Sequence, residues 1–171
     1  MRYHFVGRAP AGPPGSRPLI VGFGPAGIFA ALILAQSGFR PIVLERGKAV
    51  RERTQDTWGL WRRKVLDPES NVQFGEGGAG TFSDGKLYSQ IKDPQHHGRK
   101  VLEEFVKAGA PEEILYVNKP HIGTFRLVGM VEQMRREIER LGGEVRFQQR
   151  VSGVHIEAGR VRGVTLASGE E

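Results

Sequence analysis

The sequence contains no cysteine, which excludes disulfides, thiolate metal sites and a redox-active dithiol from this chain. The adjacent His96 and His97 cannot easily bind one metal together, and no carboxylate or cysteine cluster supports them. His121 is expected to make an ordinary hydrogen bond before a helix. The nucleophile elbow, the HExxH zinc motif and the EF-hand spacing are absent too. No residue is therefore predicted to be catalytic.

The N-terminal residues lack the apolar core of a signal peptide. Residues 1–17 carry Pro10, Pro13 and Pro14 among glycines, which is a linker composition. We expect an N-terminal extension over 1–17, one domain over 18–171, and a cytoplasmic protein. The 171 residues, 39% hydrophobic and 26% charged, are enough for such a domain with a real core.

The chain is basic, with a formal charge of +6 and a pI of about 10.0, so nucleic acid has to be considered as a partner. The basic residues are nevertheless spread along the chain, and most lie beside acids or at helical spacing, as on a solvated face. Specific nucleic-acid binding is not the favoured hypothesis. An RNA-associated module stays open as an alternative, and it predicts binding with a steep salt dependence.

The stretch from Pro18 to Glu45 organises the sequence as a strand, a glycine turn, a helix and a second strand. Leu19 to Val21 is a short apolar run, predicted to be a strand buried on both faces. Gly22 permits a tight turn, Gly24 lets a pyrophosphate approach the backbone, and Gly27 lets the helix pack close to the strand. The first-turn amides of the helix would then face the phosphates.

Glu45 ends the second strand, about 20 residues after the glycine turn, where an acid that binds a ribose diol is expected. A carboxylate there also disfavours a phosphorylated ribose, because the two negative groups would repel. The alternatives for this stretch are a βαβ unit whose glycines serve packing only, an NAD-binding domain, and a transmembrane helix. The apolar run from Leu19 to Phe39 is long enough to span a bilayer, but its four glycines and Pro25 argue against that.

Residues 72–88 are the second informative stretch, because they hold too many glycines for a helix or a strand interior. Such a backbone can pass close to a flat or anionic group while exposing its amides, and Thr81 and Ser83 can donate hydrogen bonds. A merely flexible loop is the alternative. The glycines are Gly75, Gly77, Gly78, Gly80 and Gly85.

The rest of the chain alternates helices and strands by its apolar periodicity. Trp58, Trp61 and Val65 are spaced to face the core or a partner surface, with the core favoured. Predicted elements are helices over 50–65, 98–109 and 125–141, a short strand or extended piece over 115–117, a strand over 144–148, and a hairpin of 151–156 with 160–166.

The glycine turn with Glu45, followed by Gly75 to Leu87, resembles the bacterial FAD-dependent dehydrogenases of unassigned substrate. These are similar in turn to the glutathione-reductase-like flavoproteins with two dinucleotide-binding domains. The resemblance implies an α/β fold: a Rossmann-like FAD/NAD(P)-binding parallel sheet with inserted helices and a C-terminal antiparallel hairpin or meander. It implies FAD as cofactor, with NAD(P)H as a possible electron donor and no membrane partner.

The resemblance also implies roles for individual residues. Gly22, Gly24, Pro25, Ala26 and Gly27 would hold the FAD pyrophosphate, and Glu45 the adenosine ribose. Arg46 would lie beside the adenine, and the backbone of Val151 would meet its edge. The residues implied near the pyrophosphate and the ring-bearing end are Gly77, Gly78, Ala79 and Thr81.

Members of the resembled family are several hundred residues long and continue beyond the hairpin into a further strand and a substrate domain. We therefore expect an incomplete FAD-binding domain, in which a strand that would pair with residues 19–21 is missing. An exposed strand edge of this kind invites aggregation.

Overall fold

The computed structural model describes residues 3–10 and 16–170. Two short 3-10 helices, Ala79–Phe82 and Glu112–Leu115, lie between the longer elements. Those longer elements are β1 (Leu19–Val21), α1 (Pro25–Gln36), β2 (Ile42–Leu44), α2 (Val50–Arg63), α3 (His97–Lys107), α4 (Thr124–Arg140), β3 (Glu144–Arg146), β4 (Val151–Glu157) and β5 (Arg160–Leu166).

The first three strands form a parallel sheet in the order β1-β2-β3, with Ile20 beside Val43 and Val43 beside Val145. The last two form a separate antiparallel hairpin that begins with Val151 opposite Leu166. The expected α/β fold, with a parallel sheet, inserted helices and a C-terminal antiparallel hairpin, is confirmed. The predicted helices match α2, α3 and α4 to within two residues at each end.

The core lies between the sheet and helices α1 and α4. It contains the buried Ile28, Ala31, Leu32 and Ala35 of α1 and the buried face of α4. That face comprises Leu127, Met130, Val131, Met134 and Ile138, together with Glu132 at its edge. Helix α1 is apolar all round, yet its 12 residues are too short for a bilayer. No helix in the described part of the chain could cross a membrane.

Two predicted strands differ from the structure. Leu19 and Val21 of β1 are 40% and 59% exposed, so β1 is not buried on both faces. Only the face carrying Ile20 is packed by α1, and β1 pairs with β2 alone among the described strands. Residues 115–117 are not a strand, since the 3-10 helix Glu112–Leu115 ends there in a turn.

Helix α2 buries a different face from the one its aromatic residues predicted. Trp58 and Trp61 are 46% and 58% exposed, and Val65 beyond the helix is also exposed, so the expectation of core packing is wrong. The buried positions are Val50, Arg53, Thr57 and Gly59. Val50, Arg53 and Thr57 have the same spacing as the aromatic stripe. This face is buried because the Arg53 guanidinium has hydrogen-bond acceptors inside the protein.

The predicted linker over 1–17 lies partly outside the described residues. Where it is described, it is anchored to the sheet edge and to the end of α1. The Ala9 amide donates to the Ser37 carbonyl at 2.8 Å, and Arg17 pairs with Glu144 of β3 at 2.9 Å. The chain is therefore held in place by Arg17 where it enters β1.

Candidate functional site

The turn between β1 and α1 has the conformation that its glycines predicted. Gly22 has a positive φ of 92°, and its amide donates to the Leu44 carbonyl of β2 at 2.8 Å. A Cβ at Gly27 would lie 2.0 Å from the Gly22 carbonyl oxygen, so helix and turn can be this close only with glycine there. Pro25 is in the first turn of α1, and no side chain caps the helix. The N-terminus of α1 is therefore open to an anion.

Glu45 lies directly against this turn and is buried. Its Oε2 accepts the Phe23 amide at 2.7 Å, inside the glycine turn. Its Oε1 accepts the amides of Gly47 at 2.8 Å and Gly75 at 3.0 Å. One carboxylate thus joins the turn after β1, the turn after β2 and the start of the downstream glycine segment.

The glycine segment 75–81 packs on the same turn. The Gly77 amide donates to the Phe23 carbonyl at 2.9 Å. A Cβ at Gly78 would lie 3.1 Å from the Gly24 Cα and from the Pro25 Cδ, with a φ of 64°. This segment is therefore held against the glycine turn, in a shape that disfavours other residues at both glycines.

Arg53 of α2 is fully buried beneath this segment, at 0% exposure. Its Nε, Nη1 and Nη2 each donate at 2.7 Å, to the carbonyls of Asn71, Glu76 and Val72 respectively. Desolvation lowers the pKa of Arg53 to about 10, against the opposing effect of Glu45 and Glu76. The side chain is therefore still charged at neutral pH.

Glu76 is the buried carboxylate within the glycine segment. Its Oε2 accepts the Val50 amide at 2.7 Å at the start of α2, and its Oε1 accepts from Arg135 Nε of α4 at 2.8 Å. Desolvation raises the pKa of Glu76, although Val50 and Arg135 oppose the shift. The segment is thereby tied to both α2 and α4.

A cavity of about 580 Å³, called here the first cavity, opens between the glycine turn, the end of β2 and the start of β4. Half of the predicted cofactor-binding residues line it: Gly22, Gly24, Glu45, Arg46, Gly78 and Val151. The others that line it are Val21, Leu44, Gln73, Phe74, Gly75, Gln149, Arg150 and Ser152. The structure thus brings together residues that are up to 129 positions apart, from Gly22 to Val151.

Arg46 forms part of the cationic wall of the first cavity. Its guanidinium lies 3.9 Å from the centre of the Phe74 ring and pairs with Glu69 at 2.7 Å. Arg150 reaches the other oxygen of Glu69 at 3.3 Å. The hydrogen bond from Arg46 is the main reason that the pKa of Glu69 is lowered. These contacts hold a flat cationic and aromatic surface beside the cavity.

A second cavity, of about 260 Å³ and mostly apolar, lies beyond the contact between the turn and the glycine segment. Pro25, Gly77 and Thr81 of the predicted set line it, with side chains of α1, α3 and α4. Thr81 is buried, and its hydroxyl lies 3.3 Å from both Arg53 Nη1 and the Glu76 carbonyl. Ala26, Gly27 and Ala79 line neither cavity.

Sequence reasoning missed Arg53, Glu76, Glu69 and Phe74. The spacing of Val50, Arg53 and Thr57 contained the signal for Arg53, but a charged residue in that stripe argued against burial. Glu76 stood out only as a single acid among glycines. Among the described residues, no group of three His, Asp or Glu side chains could hold a metal.

No protein-family model matches the sequence. A protein from Clostridium beijerinckii described as uncharacterized is 52% identical over 151 residues, which are 88% of this chain and 28% of that relative. The chain thus spans less than a third of the relative's length.

Solved structures that share the fold include two larger proteins. Thermovibrio ammonificans THI4 aligns over 88% of this chain and 47% of its own, with a TM-score of 0.52 and 21% identity. The 3-ketosteroid-Δ4-(5α)-dehydrogenase from Rhodococcus jostii RHA1 aligns over 90% of this chain and 42% of its own, with a TM-score of 0.50 and 15% identity. At these identities the likeness shows the fold, an α/β arrangement that makes up about half of each larger protein.

Proposed function

We propose that this chain is the FAD-binding part of a flavin-dependent oxidoreductase. The observation that supports this most directly is the junction at Phe23, whose amide donates to Glu45 and whose carbonyl accepts from Gly77. Through it the glycine turn, the carboxylate after β2 and the downstream glycine segment meet at one cavity. The fold shared with an oxidoreductase, the steroid dehydrogenase, supports the same class.

The pyrophosphate of FAD would lie at the N-terminus of α1. The helix has no capping side chain and no acidic residue in its first turn, so its amides and positive end favour an anion. Gly22, Gly24, Pro25, Ala26 and Gly27 would form this part of the site. Gly77, Gly78, Ala79 and Thr81 would approach from the other side, toward the ring-bearing end and the second cavity.

The adenosine would occupy the first cavity. Oε1 of Glu45 already accepts two amides, whereas Oε2 accepts one, so Oε2 has the free lone pair for a ribose hydroxyl. The plane of Arg46, held by Glu69 and Phe74, would lie beside the adenine. The Val151 backbone at the start of β4 would meet the adenine edge.

When bound, the flavin would supply the electron-transfer chemistry, and the protein would supply its binding, orientation and electrostatic surroundings. NAD(P)H is the electron donor that we propose with it. The residues that bind the substrate would lie in regions that correspond to the parts of the relative outside the match.

The direct test is to purify the protein, add FAD, and measure the absorption spectrum after gel filtration. Retained flavin with a shifted spectrum would support the proposal, and colourless protein would contradict it. Thermal unfolding with FAD, NAD or ADP then identifies the nucleotide. FAD at a hundredfold excess over its Kd should add about 2.7 kcal/mol of stability. Protection by NAD but not by FAD would instead indicate an NAD-binding domain.

A further inference from the structure

We infer that Arg53 is a positioning residue, which gives the glycine segment 75–81 the shape that the proposed FAD site requires. The inference rests on the proposed function for its effect on FAD. Its structural part, the control of the segment by one guanidinium, stands on the contacts alone.

The Arg53 guanidinium holds the backbone at three points. Three nitrogens donate to three different backbone carbonyls, and all three distances are 2.7 Å. Two acceptors, Asn71 and Val72, lie just before the segment, and the third, Glu76, lies near its start. A planar guanidinium can satisfy such a set at once, whereas a lysine ammonium is a compact charge on a flexible stem.

The Arg53 side chain also has little free space around it. A Cβ at Gly75 would lie 2.4 Å from the Arg53 Cδ, and Gly75 has a φ of 117°. The backbone at Gly75 thus lies directly against the arginine stem, where no side chain would fit. The guanidinium also lies 4.8 Å from the centre of the Phe82 ring, at the end of the 3-10 helix.

The hydrogen bonds of Arg53 also affect the proposed nucleotide site. Arg53 binds the carbonyl oxygen of Glu76 within the segment and those of Asn71 and Val72 just before it, and a carbonyl directed at a pyrophosphate would repel it. Glu76 and Glu45 fix the same segment by other bonds, to Val50 and Arg135 and to the Gly75 amide. Both carboxylates attract the buried Arg53 cation, and Arg135 pairs with Glu76 at 2.8 Å, so the buried negative charges are accompanied by positive ones.

The test compares the full chain with Arg53→Lys and with the control Arg63→Lys, an exposed arginine at the end of the same helix. Amide hydrogen exchange of the nucleotide-free proteins is measured first. Arg53→Lys should raise exchange within residues 71–81 while α1 and α4 keep their protection, and Arg63→Lys should change neither. Unchanged exchange, or exchange raised equally in every element, would overturn the inference.

FAD affinity is measured next, by quenching of flavin fluorescence. Losing bonds to a charged donor should raise the Kd of Arg53→Lys by about tenfold or more, with Arg63→Lys like the unmodified protein. An unchanged Kd would overturn the role in FAD binding. If the unmodified protein binds no FAD, the proposed function fails, and the exchange experiment still decides the role of Arg53.

A second pair of variants covers the case in which Arg53→Lys fails to fold. Thr81→Val removes the hydroxyl that lies 3.3 Å from Arg53 Nη1, and Thr81→Ser keeps it. Exchange within 71–81 should rise in Thr81→Val and return toward the original level in Thr81→Ser. Equal exchange in the two variants would contradict the proposed coupling.

Discussion

Glu45 accepts hydrogen bonds from three backbone amides that belong to three separate turns, two of them on Oε1 and one on Oε2. A carboxylate is suited to this role because it accepts hydrogen bonds on both oxygens and donates none. The residue that was predicted to bind a ribose is therefore also the one that assembles the cavity.

Glu45→Gln is expected to weaken both stability and FAD binding. Glutamine has one acceptor oxygen, so in either orientation its NH₂ group faces an amide N–H. Each buried group left unsatisfied costs about 1–3 kcal/mol. Thermal unfolding and FAD titration check this, with the exposed Glu157→Gln as the charge-matched control. If Glu45→Gln has the same unfolding midpoint and the same Kd for FAD as the control, the role of Glu45 in joining the three turns is contradicted.

Two helical glycines should respond in opposite ways to alanine. Gly27→Ala places a Cβ 2.0 Å from the Gly22 carbonyl oxygen, a backbone atom, so α1 has to move away from the turn. Gly129→Ala in α4 meets nothing within 4 Å and should stabilise the protein by about 0.5–1 kcal/mol. Urea unfolding and FAD titration measure both.

We expect lower stability and loss of FAD binding for Gly27→Ala, and unchanged FAD binding for Gly129→Ala. Tolerance of alanine at Gly27 would show that helix and turn need not be this close. The matched substitution separates a steric effect from the general gain that alanine brings to a helix.

Among the elements, the βαβ unit from β1 to β2 was predictable because each of its signals is local. Gly22, Gly27 and Pro25 act through their own backbone geometry, and that geometry does not depend on distant residues. The contact of Gly78 with Gly24 could be expected from the resemblance but not from either segment alone.

Helix α2 shows what local reasoning leaves out. Trp58 with Trp61, and Arg53 with Thr57, form stripes of similar spacing, and hydrophobicity favours the first. The structure buries the second because three backbone carbonyls satisfy Arg53. The spacing of Val50, Arg53 and Thr57 allowed this face to be buried, but the sequence does not report where backbone carbonyls will lie, so it could not decide between the two faces or predict the role of Arg53.

The ion pairs that bind α4 to its neighbours should respond to pH with opposite signs. Burial raises the pKa of Glu76 above its ordinary value of 4.5, so in the window just above that value the folded protein binds more protons than the unfolded chain. Its contribution to stability therefore rises as pH falls through the window. The hydrogen bond from Arg51 lowers the pKa of Glu132, whose contribution is lost as pH falls.

Urea unfolding of the unmodified protein, Glu76→Gln and Glu132→Gln between pH 7 and pH 4 checks these signs. The stability advantage of the unmodified protein over Glu76→Gln should grow as pH falls. Its advantage over Glu132→Gln should shrink over the same range. Parallel pH dependences for the two variants would contradict the opposite electrostatics of the two carboxylates.

At the scale of the whole molecule, the outer edge of β1 is the feature with the clearest consequence. β1 pairs with β2 only among the described strands, and its Leu19 and Val21 side chains are exposed. An edge of this kind offers unpaired backbone groups to another chain, and an edge lysine discourages such pairing. The chain is therefore expected to associate in a concentration-dependent way through this edge.

Leu19→Lys should reduce that association and leave FAD binding intact, because Leu19 does not line the first cavity, whereas Val21 does. Light scattering over a concentration series, with FAD titration of each variant, measures both effects. Val65→Lys adds the same charge at an exposed apolar residue away from the strand, so it should not change association. Equal association of the two lysine variants would mean that added charge, and not the edge of β1, controls self-association. If the unmodified protein is a monomer at every concentration, the edge of this three-stranded sheet is too short to pair with a strand of another chain.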